Sequence, residues 1–411
     1  MRLPDRIWVP GLVGLVLALA FVGALLVKAE GDPSLLVHAG APCTTVEPAP
    51  ALPSCDARVL FVDEDADTTG TGARGSLTVQ EADQAFDGQF FYRIGVAPWS
   101  TADRVAGVQN DLPSLRNARW GYGALAWAVS GGDPDLVPWA LVAINVAAAV
   151  AVGAIGGGLA RSSGRHAAWG ALFVLWPGFA YSLSLDTSEL LASALLLGGL
   201  LALRHRRWAL TAALLTAAVL TRDTTTVVPF AVAVSALWAG RSDRPRQLAA
   251  GAVPMVAFGA WQLIQRQRFG TLPLTSSGDN NLAAPLAGLF DQLTRMVPPG
   301  GGDEAFRLVS AIGLVALLAA GGWALVRQRP SAGHGPDAEQ VAWLGAVAVV
   351  LLLNAYLWSG ATAFMRAATE AGLLSVLLLI RVAPRRLLLL CGSGLGALWL
   401  LTAVAQITKL N

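Results

Sequence analysis

Long apolar stretches recur along the chain, separated by short polar links. Stretches of roughly 17 to 25 mainly apolar residues can cross a hydrocarbon core about 30 Å thick. On that pattern eleven spans are expected, near 7–27, 136–160, 167–185, 187–203, 208–221, 225–240, 247–264, 306–326, 340–358, 367–380 and 387–407. Each is expected to be helical, because a helix satisfies its own backbone groups in lipid and the period-2 alternation of a membrane barrel is absent. The 208–221 stretch is short, and a re-entrant pair there leaves the orientation of the rest unchanged. The fold class expected is all-α, a polytopic transmembrane helical bundle. Its regions are an N-terminal anchor (1–28), a long outer loop with juxtamembrane helices (29–135) and a multi-span core (136–411).

Composition excludes the soluble alternative. The 411 residues are 55% hydrophobic and only 14% charged, where a soluble chain carries about a quarter charged residues. The first apolar run, Ile7 to Val27, follows a basic start, is too long for a signal-peptide core and precedes no small-residue cleavage site. An uncleaved anchor with a cytoplasmic N-terminus is therefore expected. Alternating crossings from that end place 15 basic residues on cytoplasmic segments and only Arg222, Arg366 and Lys409 on short outer ones. This is the distribution the positive-inside rule requires. With four acids inside, the net charge of +2 divides into +11 facing the cytoplasm and −9 facing out. Counting Trp120 to Ser130 as a further crossing would reverse most of the arginine clusters, so it is read as a helix at or dipping into the outer interface.

Two outer loops are long, Lys28 to Arg119 and Gln265 to Ala305, and long loops in compact architectures tend to be functional or disordered. The first contains Cys43 and Cys55, which an oxidising exterior would join as a structural disulfide. The acidic run Asp63-Glu64-Asp65-Ala66-Asp67 has the charge to attract a divalent cation such as calcium but lacks the spacing of a liganding loop, so no cofactor is expected. Gly392-Ser393-Gly394-Leu395-Gly396 and the run Gly153 to Gly158 lie inside spans, where small residues serve close helix packing rather than phosphate binding. The four histidines are scattered, and neither HExxH nor GxSxG occurs, which argues against zinc and triad chemistry.

What remains is a group of polar residues at outer span ends. Phe86-Asp87-Gly88-Gln89-Phe90-Phe91-Tyr92-Arg93 suits an interfacial helix, as do Arg116, Arg119, Trp120 and Tyr122. The same face receives Asp186-Thr187-Ser188-Glu189, Thr221-Arg222-Asp223-Thr224, Arg266-Gln267-Arg268 and Arg366 with Glu370. Charges at span ends are tolerable mainly where they meet water or one another, so a polar cavity at the outer face is expected. Arginine's planar fork matches a phosphate and a carboxylate can take a proton from a hydroxyl, a pairing that suits a lipid-phosphate substrate.

The anchor, the outer-loop segment Asp87 to Arg93, Arg119-Trp120-Gly121-Tyr122, Trp176-Pro177-Gly178 and the links at Asp186 and Arg222 together resemble the GT-C superfamily of integral-membrane glycosyltransferases. More specifically, the pattern is similar to bacterial mannosyltransferase-like members associated with cell-surface glycopolymers. That resemblance implies inverting transfer of a sugar from a polyprenyl-phosphate donor to a glycan, lipid or protein acceptor at the outer face of the plasma membrane, with no nucleic-acid partner. Asp87 matches the position of the general base. The paired acidic motif of many members is absent, although Asp83 would share a face with Asp87 if 81–93 were helical. Arg366, Arg222 and Arg266 are expected to neutralise the departing phosphate, and Gln89 and Tyr92 to hold hydroxyls. Arg93, Arg119, Asp186, Glu189 and Asp223 are expected to line the site. The local alternative pairs Arg222 with Asp223 or Asp186, and Arg366 with Glu370 four residues on. A transporter or flippase of a lipid-linked glycan, or a silent scaffold, is the competing reading, but a transporter would place charges and broken helices near the midplane and show related halves.

Overall fold

A computed structural model describes residues 5–40, 77–80, 85–276, 281–328 and 335–410. The helices in chain order are α1 (Trp8–Lys28), α2 (Gly88–Val96), α3 (Pro113–Ala118), α4 (Trp120–Ser130), α5 (Val137–Ser162), α6 (Ala171–Val174), α7 (Gly178–Ser184), α8 (Glu189–Arg204), α9 (Trp208–Thr221) and α10 (Val227–Ser235). They continue as α11 (Arg244–Phe269), α12 (Pro273–Ser276), α13 (Ala287–Met296), α14 (Gly302–Arg327), α15 (Ala338–Leu351), α16 (Ala355–Trp358), α17 (Ala361–Ala367), α18 (Thr369–Val382) and α19 (Arg385–Lys409). Among the described residues, extended structure is limited to two short pairings, Ala39–Gly40 with Val79–Gln80 and Arg104–Val105 with Val108–Gln109, and one isolated bridge between Leu282 and Leu353.

The chain is an all-α membrane protein. Five helices, α1, α5, α11, α14 and α19, are long and apolar enough to cross a bilayer, and α17 with α18 makes a sixth if that pair, bent by 56°, is one span. The other expected spans also fall on helix but are shorter or interrupted. The 167–185 stretch breaks at Trp176-Pro177, where proline has no N–H to continue the ladder. The 340–358 stretch ends α15 at Leu351 and restarts at Ala355, capped by the Asn354 side chain. α8, α9 and α15 have 16, 14 and 14 residues, about 21–24 Å of helix against a core of about 30 Å. α4 has 11 residues, too short to cross alone.

α1 lies along α5 at backbone contact. A Cβ on Gly153 would sit 2.2 Å from the Pro10 carbonyl oxygen, and one on Gly14 2.4 Å from that of Ala149. Small residues there let two backbones touch, as expected for Gly153 to Gly158. The second small-residue run meets its expectation only in part. A Cβ on Gly392 would lie 3.0 Å from a Leu172 methyl of α6, so that glycine does serve packing, whereas one on Gly394 would meet open space and one on Gly396 only a side-chain methyl 4.0 Å away. The main apolar core runs through α5, α7, α8, α15 and α18, with Trp176 buried inside it and donating to Thr369. Cys391 is a free, half-buried thiol on α19. The end of the bundle carrying the C-termini of α5, α8 and α18 is tied by ions. Arg204 grips Glu339 with two nitrogens, Arg381 reaches Asp337 and Glu339, and Arg165 donates to the Ile380 and Ala383 carbonyls.

Candidate functional site

Asp87 occupies the N-cap position of α2, where an aspartate ordinarily bonds the first backbone N–H groups of its helix. Here it makes no such cap. The carboxylate instead meets three guanidinium groups: Arg116 Nη1 at 2.8 Å, Arg366 Nη2 at 3.1 Å and Arg119 Nη1 at 3.7 Å. Close backbone approaches put it there. A Cβ on Gly88 would lie 2.5 Å from the Val37 carbonyl oxygen and 2.6 Å from that of Leu185, so only glycine lets α2 start against the end of α7. Gly121, whose Cβ would lie 2.5 Å from Thr221 Oγ1, brings the start of α4 against the end of α9 and sets Arg119 beside Asp223.

The contacts form one alternating ladder of charge. Asp111 holds Arg116 Nε and Nη2 at 2.9 and 2.8 Å, and Arg116 passes to Asp87. Arg366 joins Asp87 to Glu189, donating to the latter from Nε at 2.7 Å. Glu189, fully buried at the first position of α8, also takes Arg222, and Arg222 continues to Glu370 at 3.1 Å. The N-terminus of α8 favours the negative charge of Glu189. Arg222 is saturated, because it donates as well to Thr224 and to the Arg366 carbonyl. Arg119 is the loose member. It lies 3.7 Å from Asp87 and 3.6 Å from Asp223, its Nε makes no hydrogen bond, and 27% of its side chain is exposed.

A small, partly open cleft of about 10 Å³, room for roughly one water, lies over this end of the ladder, lined by Asp87, Phe90, Phe91, Leu115, Arg116 and Arg119. Arg116 stacks over the Phe90 ring and Arg366 over that of Phe86. Burial alone would raise the Asp87 carboxyl, but Arg116, Arg366 and Arg119 outweigh it and hold the group well below the usual carboxylate range. Asp87 is thus an anion at the mouth of a cationic pocket.

Of the residues named from sequence, Asp87, Arg119, Glu189, Arg222, Asp223 and Arg366 come together. The local pairings are not the ones formed: Arg366 takes Glu189 and Asp87 rather than Glu370, and Arg222 takes Glu189 and Glu370 rather than Asp223 or Asp186. Gln89, Tyr92 and Arg93 lie on the other side of α2 from Asp87, Phe90 and Phe91 and are buried away from the cleft. Arg93 donates there to the Ala102 carbonyl. Asp186 is fully buried in a left-handed turn, and neither of its oxygens has a hydrogen-bond partner. Arg266 is exposed in the last turn of α11 and stands apart from the ladder. Asp83, Cys43, Cys55 and the 63–67 acidic run lie outside the described residues. Residues 85–87 precede the helix, so it begins at Gly88 rather than at 81. Asp111 and Arg116 were missed as site residues. Arg116 and Arg119 lie three apart just after Pro113, a spacing that could have flagged a shared cationic face.

Among the described residues no group of three metal-ligating side chains is placed to hold an ion. No protein-family model, curated protein or solved structure matches the chain.

Proposed function

We propose that the protein transfers a sugar from a polyprenyl-phosphate donor to a hydroxyl of a glycan, lipid or protein acceptor at the extracytoplasmic face of the plasma membrane, in the manner of a GT-C glycosyltransferase. The observation that carries the reading is Asp87 at the cleft mouth among three guanidinium groups. The two chemistries such a transfer needs, cations for a phosphate and a carboxylate for a hydroxyl, meet there. The arrangement of eleven crossings with a cytoplasmic N-terminus belongs to the same proposal, since it puts Asp87, Arg222 and Arg366 on the outer side.

Asp87 takes the proton of the acceptor hydroxyl as that oxygen attacks the anomeric carbon. The anomeric bond to the phosphate oxygen breaks on the opposite face, inverting the centre, and the electron pair leaves with the lipid phosphate. Arg119 and Arg366 face the departing charge, and preorganised cations of this kind are often the largest catalytic contribution. Arg222 acts one step back, holding Glu189 and through it Arg366. A proton-accepting carboxylate is typically worth about 10² to 10⁴ in rate.

The transporter reading has an observation of its own, the interrupted stretches at Trp176-Pro177 and Asn354 and the bent α17–α18 pair. Alternating access needs one half of a bundle to rock against the other, whereas Arg204, Glu339 and Arg381 clamp α8, α15 and α18 together at the end away from the cleft. Reconstituted protein given a radiolabelled polyprenyl-phosphate sugar and a mixed acceptor fraction tests the proposal. Transfer is expected with the wild type and a loss of about 10² or more with Asp87→Asn. Transfer at the wild-type rate by that variant would sink the role given to Asp87, and labelled donor crossing the bilayer unreacted would favour a flippase.

A further inference from the structure

The guanidinium groups that would receive a lipid phosphate are already engaged by a carboxylate. One oxygen of Asp87 accepts from Arg116 and the other from Arg366, with Arg119 just beyond hydrogen-bond reach. Three cations converge on one anion that is 23% exposed and has given up its helix cap to face them. Arg116 and Arg366 each keep a second acid, Asp111 and Glu189. Both therefore remain charged and positioned when Asp87 moves. Arg119 has only long contacts and no hydrogen bond at Nε, and it lines the cleft, so of the three arginines its donors are the least committed. A phosphate offers more acceptor oxygens than a carboxylate and fits two forks at once.

We propose that Asp87 holds the place of the donor's phosphate, so that an entering lipid-phosphate headgroup displaces it from the arginines and frees it to act as base. This rests on the glycosyltransfer reading above. While bracketed by arginines the carboxylate is held far too acidic to take a proton from a hydroxyl. Once the phosphate neutralises those arginines, the same carboxylate accepts the proton. The base is thus switched on only when the donor is present. After transfer the lipid carries a phosphomonoester of higher charge, with a second pKa of about 6. Asp87 passes its proton to water, is again an anion and returns to the guanidinium groups once the lipid phosphate has left.

The consequence is that removing a negative charge raises affinity for an anion beyond what a distant charge would do, and it can be read without any transfer. Purified protein in neutral-lipid nanodiscs is titrated with a sugar-free polyprenyl monophosphate, following tryptophan fluorescence, with inorganic phosphate as a parallel probe. Asp87→Asn is expected to bind the lipid phosphate about tenfold tighter than wild type, the weight of one charge-assisted hydrogen bond no longer displaced. Arg119→Gln is expected to bind about tenfold more weakly on the same grounds. Equal or weaker binding by folded Asp87→Asn overturns the proposal, and inorganic phosphate competing at the lipid's own concentration overturns the assignment to a lipid headgroup. Unfolding temperature guards against misfolding. Asp87→Asn should melt below wild type when empty and gain more from the lipid phosphate, and a gain no larger than wild type's also overturns the proposal. Failure of wild-type transfer would instead refute the glycosyltransferase reading, which these binding measurements do not use.

Discussion

Glu189 is the joint of the charge ladder. It is fully buried, it accepts from Arg222 and from Arg366 on one oxygen, and Ser182 donates to the other at 3.0 Å. Glu189→Ala removes the shared acceptor and leaves two buried guanidinium groups short of an anion. Breaking a buried ion pair from one side costs about 3 to 5 kcal/mol. Arg222 retains Glu370 and Arg366 retains Asp87, so the loss should fall near the lower figure, about 3 kcal/mol. In thermal unfolding followed by tryptophan fluorescence this corresponds to a fall of about 3 to 4 °C for a chain of 411 residues. Glu189→Gln, which keeps the shape and one acceptor, should lose about half as much. Glu189→Leu combined with Arg222→Met should recover part of the alanine loss, because an absent ion pair is less unfavourable than half of one. If Glu189→Ala melts within about 1 °C of wild type, or the double variant is no better than Glu189→Ala, the ladder is not the buried, coupled network described.

Two further outcomes follow from the geometry. Gly153→Ala should destabilise by about 1 to 3 kcal/mol, because its Cβ meets the Pro10 backbone rather than a movable side chain, while Gly394→Ala, facing open space, should change the melting temperature little; equal effects at the two sites would contradict the α1–α5 contact. Asp87 has a folded-state value below the ordinary 3.8, so its contribution to stability is present above that value and is lost as pH falls through and below it. The Asp87-dependent part of the melting temperature, read as wild type minus Asp87→Asn, should therefore be flat from neutral pH down to about 4 and shrink below; a decline beginning near pH 6 would argue that the carboxylate is not held by its arginines.

Much of the architecture was legible along the chain. Hydropathy is a sum over neighbouring residues, so every apolar stretch named from sequence falls largely on helix, and α4 covers the 11 residues Trp120–Ser130 set apart from the spans. Where spans break was less legible, because Pro177 and Asn354 act through local caps inside otherwise uniform apolar runs. The candidate site was legible as a list of charged residues at span ends, with Asp87 among them. Its pairings were not. The i+4 neighbour of Arg366 is Glu370, yet Arg366 bonds Glu189 at a separation of 177 residues and Asp87 at 279, while Glu370 bonds Arg222 across 148. Which acid a guanidinium meets depends on which helix ends are packed together, and that is set by backbone contacts at Gly88 and Gly121 rather than by sequence distance. The side of α2 that meets the cleft was decided the same way, leaving Gln89, Tyr92 and Arg93 in the interior. The chain alone determined the solvent, the helices and the residues able to carry charge, because those are local properties. Tertiary packing alone decided that three arginines would close on one aspartate, because only folding brings together charges that lie 29 to 279 residues apart.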